Sequence, residues 1–234
     1  MKELTKRLQA VADLVPKGLV TADVGCDHGY VSIYLIQRKR VPRVIAMDVN
    51  EGPLKQAELN ISMCGLSEVI ETRLSDGLSA LVPGEAECVV LAGMGGPLMW
   101  RILTMFPEVT RRMKYLILQP QSEIPVVRKN LRTNGFEIEA ENMVLEDGKY
   151  YPMMRVKVSE KEQTLTHKTE ILYDLYGEYL LKEQNEILHQ FLQFEKKQYE
   201  EILLHMEGHE KRREEIKEIL LQNANALTYF QDKL

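Results

Sequence analysis

The sequence predicts an α/β fold, a Rossmann-like seven-stranded mixed sheet with helices around it, followed by an antiparallel helical hairpin of coiled-coil type. Three observations predict it. Short apolar runs alternate with helical patterns up to about residue 158, an Asp-Gly turn separates the last two runs, and the rest of the chain has helical periodicity alone. We expect a first domain at residues 1–159 and a helical domain at residues 160–234.

Seven segments are predicted strands, most of them marked by β-branched enrichment and flanking turn residues, and four segments between them have helical patterns. The predicted strands are 19–24, 43–49, 69–75, 87–93, 114–119, 136–146 and 150–158. The predicted helices are Tyr30–Lys39, Pro53–Cys64, Pro97–Phe106 and Ser122–Asn134. Alternating strands and helices indicate a parallel sheet, and the turn at Asp147-Gly148 makes the last two strands an antiparallel pair.

The pattern changes after Val158. Ser159–Lys168 is polar and typical of a linker. Beyond it, apolar residues recur every three to four positions in two series, one centred on Leu188–Met206 and one on Ile216–Leu227. Gly208 and a run of charged residues lie between the two series, so the chain is expected to reverse there into an antiparallel hairpin.

Composition is that of an ordinary globular protein, with 44% hydrophobic and 28% charged residues. The formal net charge of -5 argues against a general nucleic-acid coat but allows a local basic face. No apolar run approaches the roughly 20 residues that span a bilayer, and the amphipathic start does not resemble a secretory signal. We therefore expect a cytoplasmic protein that does not enter the membrane.

The cysteines and two histidines predict no bridge and no metal site. Cys26, Cys64 and Cys88 are odd in number and widely spaced, so we expect three reduced, structural thiols. His205 and His209 are four residues apart, but no third ligand accompanies them.

A glycine turn after the first strand is the most informative segment. The strand ends in Asp23, turns through Gly25 and Gly29 and leads into a helix, which is the nucleotide-binding arrangement of α/β sheets. The dinucleotide pattern GxGxxG is absent, and Asp27 stands inside the turn. A carboxylate there suits a ligand with a cationic part, such as S-adenosylmethionine, and would repel the pyrophosphate of a nicotinamide cofactor.

Polar or glycine-rich turns follow the later strands as well. Asp48 ends the second strand about 20 residues past the turn, where an acidic residue binds ribose hydroxyls. Asp76-Gly77 is positioned to reach an adenine edge. Ala92–Gly96 places open backbone at the sheet's ligand-binding crevice, and Gln119–Gln121 lies on the same rim.

Taken together and in order, these motifs resemble the bacterial tRNA (adenine-N1)-methyltransferases that modify adenosine 22. The resemblance covers residues 1 to about 158 and extends to the tail through the helical hairpin. It is carried by Asp23–Tyr30, Gly52–Leu54, Asp76–Leu78, Ala92–Gly96 and Leu118–Pro120. It implies a Rossmann-like methyltransferase domain, S-adenosylmethionine as cofactor and a helical C-terminal domain.

We assign roles to individual residues on this basis. Cofactor binding is expected from Asp23, Gly25, Asp27, His28, Gly29, Asp48, Asp76, Gly77, Ala92, Gly93, Met94 and Gly95. Adenine N1 has an available lone pair at neutral pH, so catalysis requires positioning rather than a strong base, and no general base is identified. Positioning of the reacting groups is assigned to Asp27, Tyr30 and Gln119, and Tyr30 is a candidate for stacking on the base.

Basic clusters are the candidates for the tRNA contact. We assign it to Arg38, Lys39, Arg111, Arg112, Arg128 and Arg132. The Asn/Asp-Pro-Pro-aromatic tetrapeptide of amino-group methyltransferases is missing after the fourth strand, which favours a ring nitrogen as acceptor. A monomer or weak dimer is expected.

Two alternatives remain open from the sequence. The same cofactor can serve transfer to a small molecule or a protein, which a closed apolar pocket beside Gly93–Gly96 would favour. The chain can also be a non-enzymatic RNA-binding scaffold, although intact Asp23, Gly25, Asp48 and Asp76 argue against it.

Overall fold

A computed structural model describes residues 4–159, 166–206 and 208–233, and it contains the predicted mixed sheet. The strands are β1 (Thr21–Val24), β2 (Val44–Asp48), β3 (Ile70–Leu74), β4 (Cys88–Met94), β5 (Tyr115–Pro120), β6 (Phe136–Glu146) and β7 (Lys149–Val158). Their order is β3-β2-β1-β4-β5-β7-β6; the pairs β5-β7 and β7-β6 are antiparallel, and the other four pairs are parallel. The prediction of seven strands that end in an antiparallel hairpin is confirmed.

Helices cover both faces of the sheet. They are α1 (Lys6–Leu14), α2 (Tyr30–Gln37), α3 (Glu51–Met63), α4 (Gly96–Met105), α5 (Pro107–Thr110), α6 (Ile124–Thr133), α7 (His167–Tyr176), α8 (Glu178–Lys182), α9 (Glu186–His205) and α10 (Glu210–Leu227), with a 3₁₀ helix at Thr228–Lys233. One apolar core lies under α1, α2 and α3, and a second lies under α4 and α6. Among the described residues, no helix is both long and apolar enough to cross a membrane.

Several helix ends differ from the prediction by one or two residues, and backbone conformation sets two of them. Helix α2 ends at Gln37 instead of Lys39, since Lys39 takes a left-handed φ of 51°. Helix α6 begins at Ile124 instead of Ser122, since Glu123 has a φ of 51° and the carbonyl of Ser122 accepts a hydrogen bond from the amide of Gly96. The loop before α6 is thereby tied to the start of α4.

The C-terminal helices form the predicted hairpin. Arg213 donates to the carbonyl of Met206 (2.6 Å), and Asn223 donates to the carbonyl of Leu192 (2.9 Å), so α9 and α10 run antiparallel. The chain reverses between the end of α9 at His205 and the start of α10 at Glu210, as expected from Gly208. Most of the linker predicted at Ser159–Lys168, residues 160–165, lies outside the described residues.

A buried ion pair joins the two parts of the chain. The Nε of Arg128 in α6 donates to Glu141 in β6 (2.9 Å), and its Nη1 donates to the carbonyl of Leu175 in α7 (3.0 Å). Glu141 also accepts from the amide of Tyr179 in α8 (3.1 Å). The Arg128 and Glu141 side chains are only 3% and 0% exposed, so the expectation that Arg128 contacts tRNA is wrong.

Two more of the predicted tRNA contacts have partners within the fold. Arg132 pairs with Glu170 and Asp174 in α7 and is 15% exposed, which removes it from the candidate RNA surface. Arg111 donates to the backbone carbonyls of residues 134 and 135 and lies over the Phe136 ring, but it is exposed. Arg38, Lys39, Arg111 and Arg112 lie on the surface, and their contact with RNA stays a prediction.

Candidate functional site

A cavity of about 420 Å³ opens at the carboxyl ends of β1, β2 and β4, with α1 along one side. Ligands of open α/β sheets bind at this edge. The cavity is lined by Arg7, Leu8, Asp23, Gly25, Cys26, Asp27, His28, Tyr30, Val31, Asp48, Val49, Asn50, Ala92, Gly93, Met94 and Gln121. The segments that the sequence marked after β1, β2 and β4 therefore meet in one place.

The glycine turn is held in an unusual backbone conformation. Gly25, Asp27 and Gly29 all have positive φ, and the amides of Gly25 and Cys26 both donate to the carbonyl of Met47. A β-carbon on Gly25 would lie 2.5 Å from Cε of Met94. Glycine is favoured here by its φ of 72°, whereas the Met94 contact is with the end of a flexible side chain; without a side chain on Gly25 the backbone stays open toward the cavity.

Two buried carboxylates form the floor of the cavity. Asp48 accepts from the amide of Asn50 (2.9 Å) through one oxygen and from the amide of Asp27 (3.2 Å) through the other. Asp23 accepts from the hydroxyl of Ser32 (2.6 Å). The pKa of Asp23 is raised to about 6, chiefly because the carboxyl is buried. Hydrogen bonds from Ser32 lower the pKa in part, and the nearby charge of Asp48 raises it slightly further.

One guanidinium lines the same cavity as these acids. Nη1 of Arg7 donates to Oε1 of Gln119 (2.7 Å), and the same oxygen accepts from the amide of Gly93 (3.1 Å). Gln119 is completely buried, and it does not line the cavity. Gln119 holds Arg7 and the end of β4 at Gly93, which we call the β4 turn. Because its side chain does not reach the cavity, it does not itself contact a ligand there.

Aromatic and thiol groups complete the wall. His28 and Tyr30 meet edge to face with ring centroids 5.7 Å apart, and Nδ1 of His28 is buried with no partner among the described residues. Burial raises the pKa of the Cys26 thiol, so this thiol stays protonated and is no nucleophile. The described part of the chain contains no disulfide.

Several predicted cofactor residues do not line the cavity. Gly29 packs on Ala57, and Gly77 packs on Ile102, so both glycines permit close packing. Asp76 is largely exposed, with its carboxylate 3.8 Å from Arg101, and Gly95 caps α4. A cofactor contact by these residues stays a prediction.

Sequence reasoning assigned no ligand contact to six lining residues, Arg7, Leu8, Cys26, Val31, Val49 and Asn50. Val49 and Asn50 follow Asp48 directly, and this adjacency could have indicated them. Arg7 and Leu8 come from α1, and nothing in their local pattern distinguishes them from an ordinary helix.

The chemistry of the lining fits S-adenosylmethionine. Asp48 offers carboxylate oxygens to ribose hydroxyls, Asp23 and Asp27 offer negative charge to an ammonium and a sulfonium, and Arg7 offers a cation to a carboxylate. Within the described residues, no group of three or more histidines, cysteines or acids could hold a metal ion.

Comparisons with known proteins agree with this chemistry. Residues 4–154 match the family model of a methyltransferase domain. The tRNA (adenine(22)-N(1))-methyltransferase of Bacillus subtilis (strain 168) is 32% identical over 79% of this chain and 78% of its own length. The crystal structure of the B. subtilis m1A22 tRNA methyltransferase has a TM-score of 0.79 at 29% identity, covering 96% of this chain and 99% of that one.

A Streptococcus pneumoniae protein solved in complex with S-adenosyl-L-methionine is closely similar in fold. It has a TM-score of 0.85 at 31% identity and covers 96% of this chain and 100% of its own. The alignment therefore includes the C-terminal helices as well as the sheet.

Proposed function

This chain belongs to the tRNA (adenine(22)-N(1))-methyltransferase family, and from that premise we propose that it transfers a methyl group from S-adenosylmethionine to N1 of adenosine 22 in tRNA. The observation that carries the proposal is the cavity in which Asp23, Asp48 and Arg7 face an open glycine backbone. tRNA is the macromolecular partner, and we place the reaction in the cytoplasm.

The cofactor supplies a methyl group on a positively charged sulfur. We propose that Asp48 holds the ribose hydroxyls, that Asp23 faces the amino group, and that Arg7 binds the carboxylate. Gln119 keeps Arg7 and the amide of Gly93 in fixed positions through its buried carbonyl oxygen. The site thus needs no reorganisation of these groups during the reaction.

The chain must then present the adenine edge in line with the methyl group. Adenine N1 attacks through its own lone pair, so no proton has to leave in the transfer step, and the positive charge passes from sulfur to the base. Tyr30 lines the cavity and is half-buried, which suits stacking on the base. Asp27, 69% exposed at the mouth, is placed to stabilise the positive charge that develops on the base.

The test of the function is methyl transfer from labelled S-adenosylmethionine to an unmodified tRNA transcript, followed by nucleoside digestion and mass spectrometry. The expected product is 1-methyladenosine, and a transcript with guanosine in place of adenosine 22 should yield none. If the cofactor binds but neither transcript is methylated, the acceptor is a different molecule. Methylation of both transcripts equally would contradict position 22.

Replacing Arg7 should weaken only ligands that contain the amino-acid part. We expect Arg7→Ala to reduce affinity for S-adenosylhomocysteine by about 10- to 100-fold, since it loses a charged hydrogen bond, and to leave 5′-methylthioadenosine, which lacks the carboxylate, nearly unchanged. Calorimetry with both ligands measures the difference. Lys6→Ala, an exposed cation on the same helix, is the control. Equal losses for both ligands would mean that Arg7 only supports the β4 turn.

Cofactor binding should also depend on pH through Asp23. Because its pKa is about 6 in the protein, this carboxylate is mostly protonated at pH 5 and mostly ionised at pH 7. The ammonium group of S-adenosylhomocysteine favours the ionised form, so affinity for this ligand should rise between these pH values by up to about tenfold. Asp23→Asn keeps an acceptor for Ser32 and should flatten this rise. An identical pH profile in both proteins would refute the role of Asp23.

A further inference from the structure

A second cavity of about 600 Å³ lies between the C-terminal helices and the end of the sheet formed by β6 and β7. Its walls come from the start of α6, from β6 and β7, and from α7, α9 and α10. Its volume is in the range of small-molecule sites. It shares no lining residue with the cofactor cavity, so any ligand here occupies a separate site.

Most of the wall is apolar and aromatic. Tyr150 and Phe191 meet edge to face with centroids 5.2 Å apart, and Leu188 is almost fully buried beside them. Tyr199 and Ile219 complete this wall. Aromatic and branched side chains around a cavity favour an apolar body, such as a ring or a short hydrocarbon chain.

The polar groups of the cavity are mainly hydrogen-bond acceptors. Glu195 accepts from the hydroxyl of Tyr176 (2.8 Å) and from the amide group of Asn223 (2.9 Å), and both bonds end on the same oxygen, Oε2. Oε1 of Gln222 is buried with no partner among the described residues. Glu218 adds a second carboxylate.

The one cation of this wall does not offset these acceptors. Arg128 lines the cavity, but its Nε and Nη1 are used by Glu141 and by backbone carbonyls of α7. The charge of Arg128 is matched by that of Glu141. Within the described residues the carboxylate of Glu195 forms no ion pair, so the cavity favours a ligand that brings a positive charge.

We propose that this cavity binds a small amphiphilic amine, with its apolar body against Tyr150, Phe191 and Ile219 and its ammonium group at Glu195 and Gln222. An anion of the same shape would meet Glu195 and Glu218 and is rejected. The proposal concerns a site apart from the cofactor cavity and does not rest on the proposed methyl transfer.

The test uses two probes of one shape and opposite charge, 1-naphthylmethylamine and 1-naphthoic acid, titrated into the full chain by calorimetry at pH 7. We expect the amine to bind at least about tenfold more tightly than the acid, the difference that one charged hydrogen bond provides. Glu195→Gln keeps an acceptor for Tyr176 and Asn223 but removes the charge, and it should lower the affinity for the amine by about five- to tenfold.

Two further variants locate the binding. Ile219→Trp fills the cavity and should remove binding, whereas Leu221→Trp, which puts the same ring on the exposed side of α10, should not. Asp48→Ala alters only the cofactor cavity and should leave amine binding unchanged. No binding of the amine, equal binding of both probes, insensitivity to Glu195→Gln, or loss with Asp48→Ala would overturn the proposal. If Ile219→Trp does not fold, Glu195→Gln and Asp48→Ala still decide it.

Discussion

Asp48→Ala should reduce the affinity for S-adenosylhomocysteine by about 100-fold or more, because two charged hydrogen bonds to ribose hydroxyls are each worth about 1.5–3 kcal/mol. The carboxylate is 7% exposed at the end of β2, and its two oxygens also accept from the amides of Asp27 and Asn50. Removing it takes away the ribose acceptors and loosens the glycine turn at the same time. Calorimetry with the purified chain measures the loss.

A conservative variant separates these two effects. Asp48→Asn keeps one oxygen for a backbone amide but loses the charge, so it should bind more tightly than Asp48→Ala and still well below the wild type. 5′-Methylthioadenosine contains the same ribose, so it should lose affinity in Asp48→Ala as much as S-adenosylhomocysteine does. This response is the opposite of that expected for Arg7→Ala.

Asp76→Ala provides the comparison with an acid outside the cavity. Its carboxylate is largely exposed and lies 3.8 Å from Arg101, so we expect a loss of about tenfold or less, as for one solvent-exposed hydrogen bond. Unchanged affinity in both aspartate variants would contradict the assignment of the cofactor site. A larger loss with Asp76→Ala than with Asp48→Ala would move the ribose site to the end of β3.

The sheet could be predicted because its signals are local. Most strands are short β-branched runs bounded by turn residues, and the longer β6 begins and ends at the predicted residues, Phe136 and Glu146. The end of α2 and the start of α6 differ from the prediction because Lys39 and Glu123 are left-handed. Glycine, and less often asparagine or aspartate, signals such a conformation in sequence, whereas lysine and glutamate do not, so these two boundaries could not be located.

The site could be predicted where its residues stand at strand ends. Parallel strands bring their carboxyl ends to one edge of the sheet, so the sequence alone predicts that Asp23 and Asp48 lie close together there. Arg7 could not be found in this way, because its place depends on Gln119, which is 112 residues away in sequence. The same limit explains the error on Arg128. The sequence around an arginine on an amphipathic helix gives no sign that its partner is a buried glutamate on a distant strand.

The buried pair of Arg128 and Glu141 leads to the second large expected effect, which concerns stability. Arg128→Met should lower the free energy of unfolding by about 3–5 kcal/mol, because it leaves the Glu141 carboxylate buried without its cation. It also removes the hydrogen bonds from Arg128 to the carbonyls of Asp174 and Leu175, which hold α7 against α6. Urea unfolding followed by circular dichroism measures the change.

A double variant tests whether the cost comes from the unpaired charge. Arg128→Met combined with Glu141→Leu removes both charges, so it should recover much of the loss, although the amide of Tyr179 then lacks its acceptor. Arg112→Met, at an exposed arginine, should change stability by no more than about 0.5 kcal/mol. If Arg128→Met is as stable as the wild type but binds tRNA more weakly, then the guanidinium contacts RNA and the ion pair does not hold the helices. If tRNA binding falls only at temperatures where the variant unfolds, the role of Arg128 is to join the two parts of the chain.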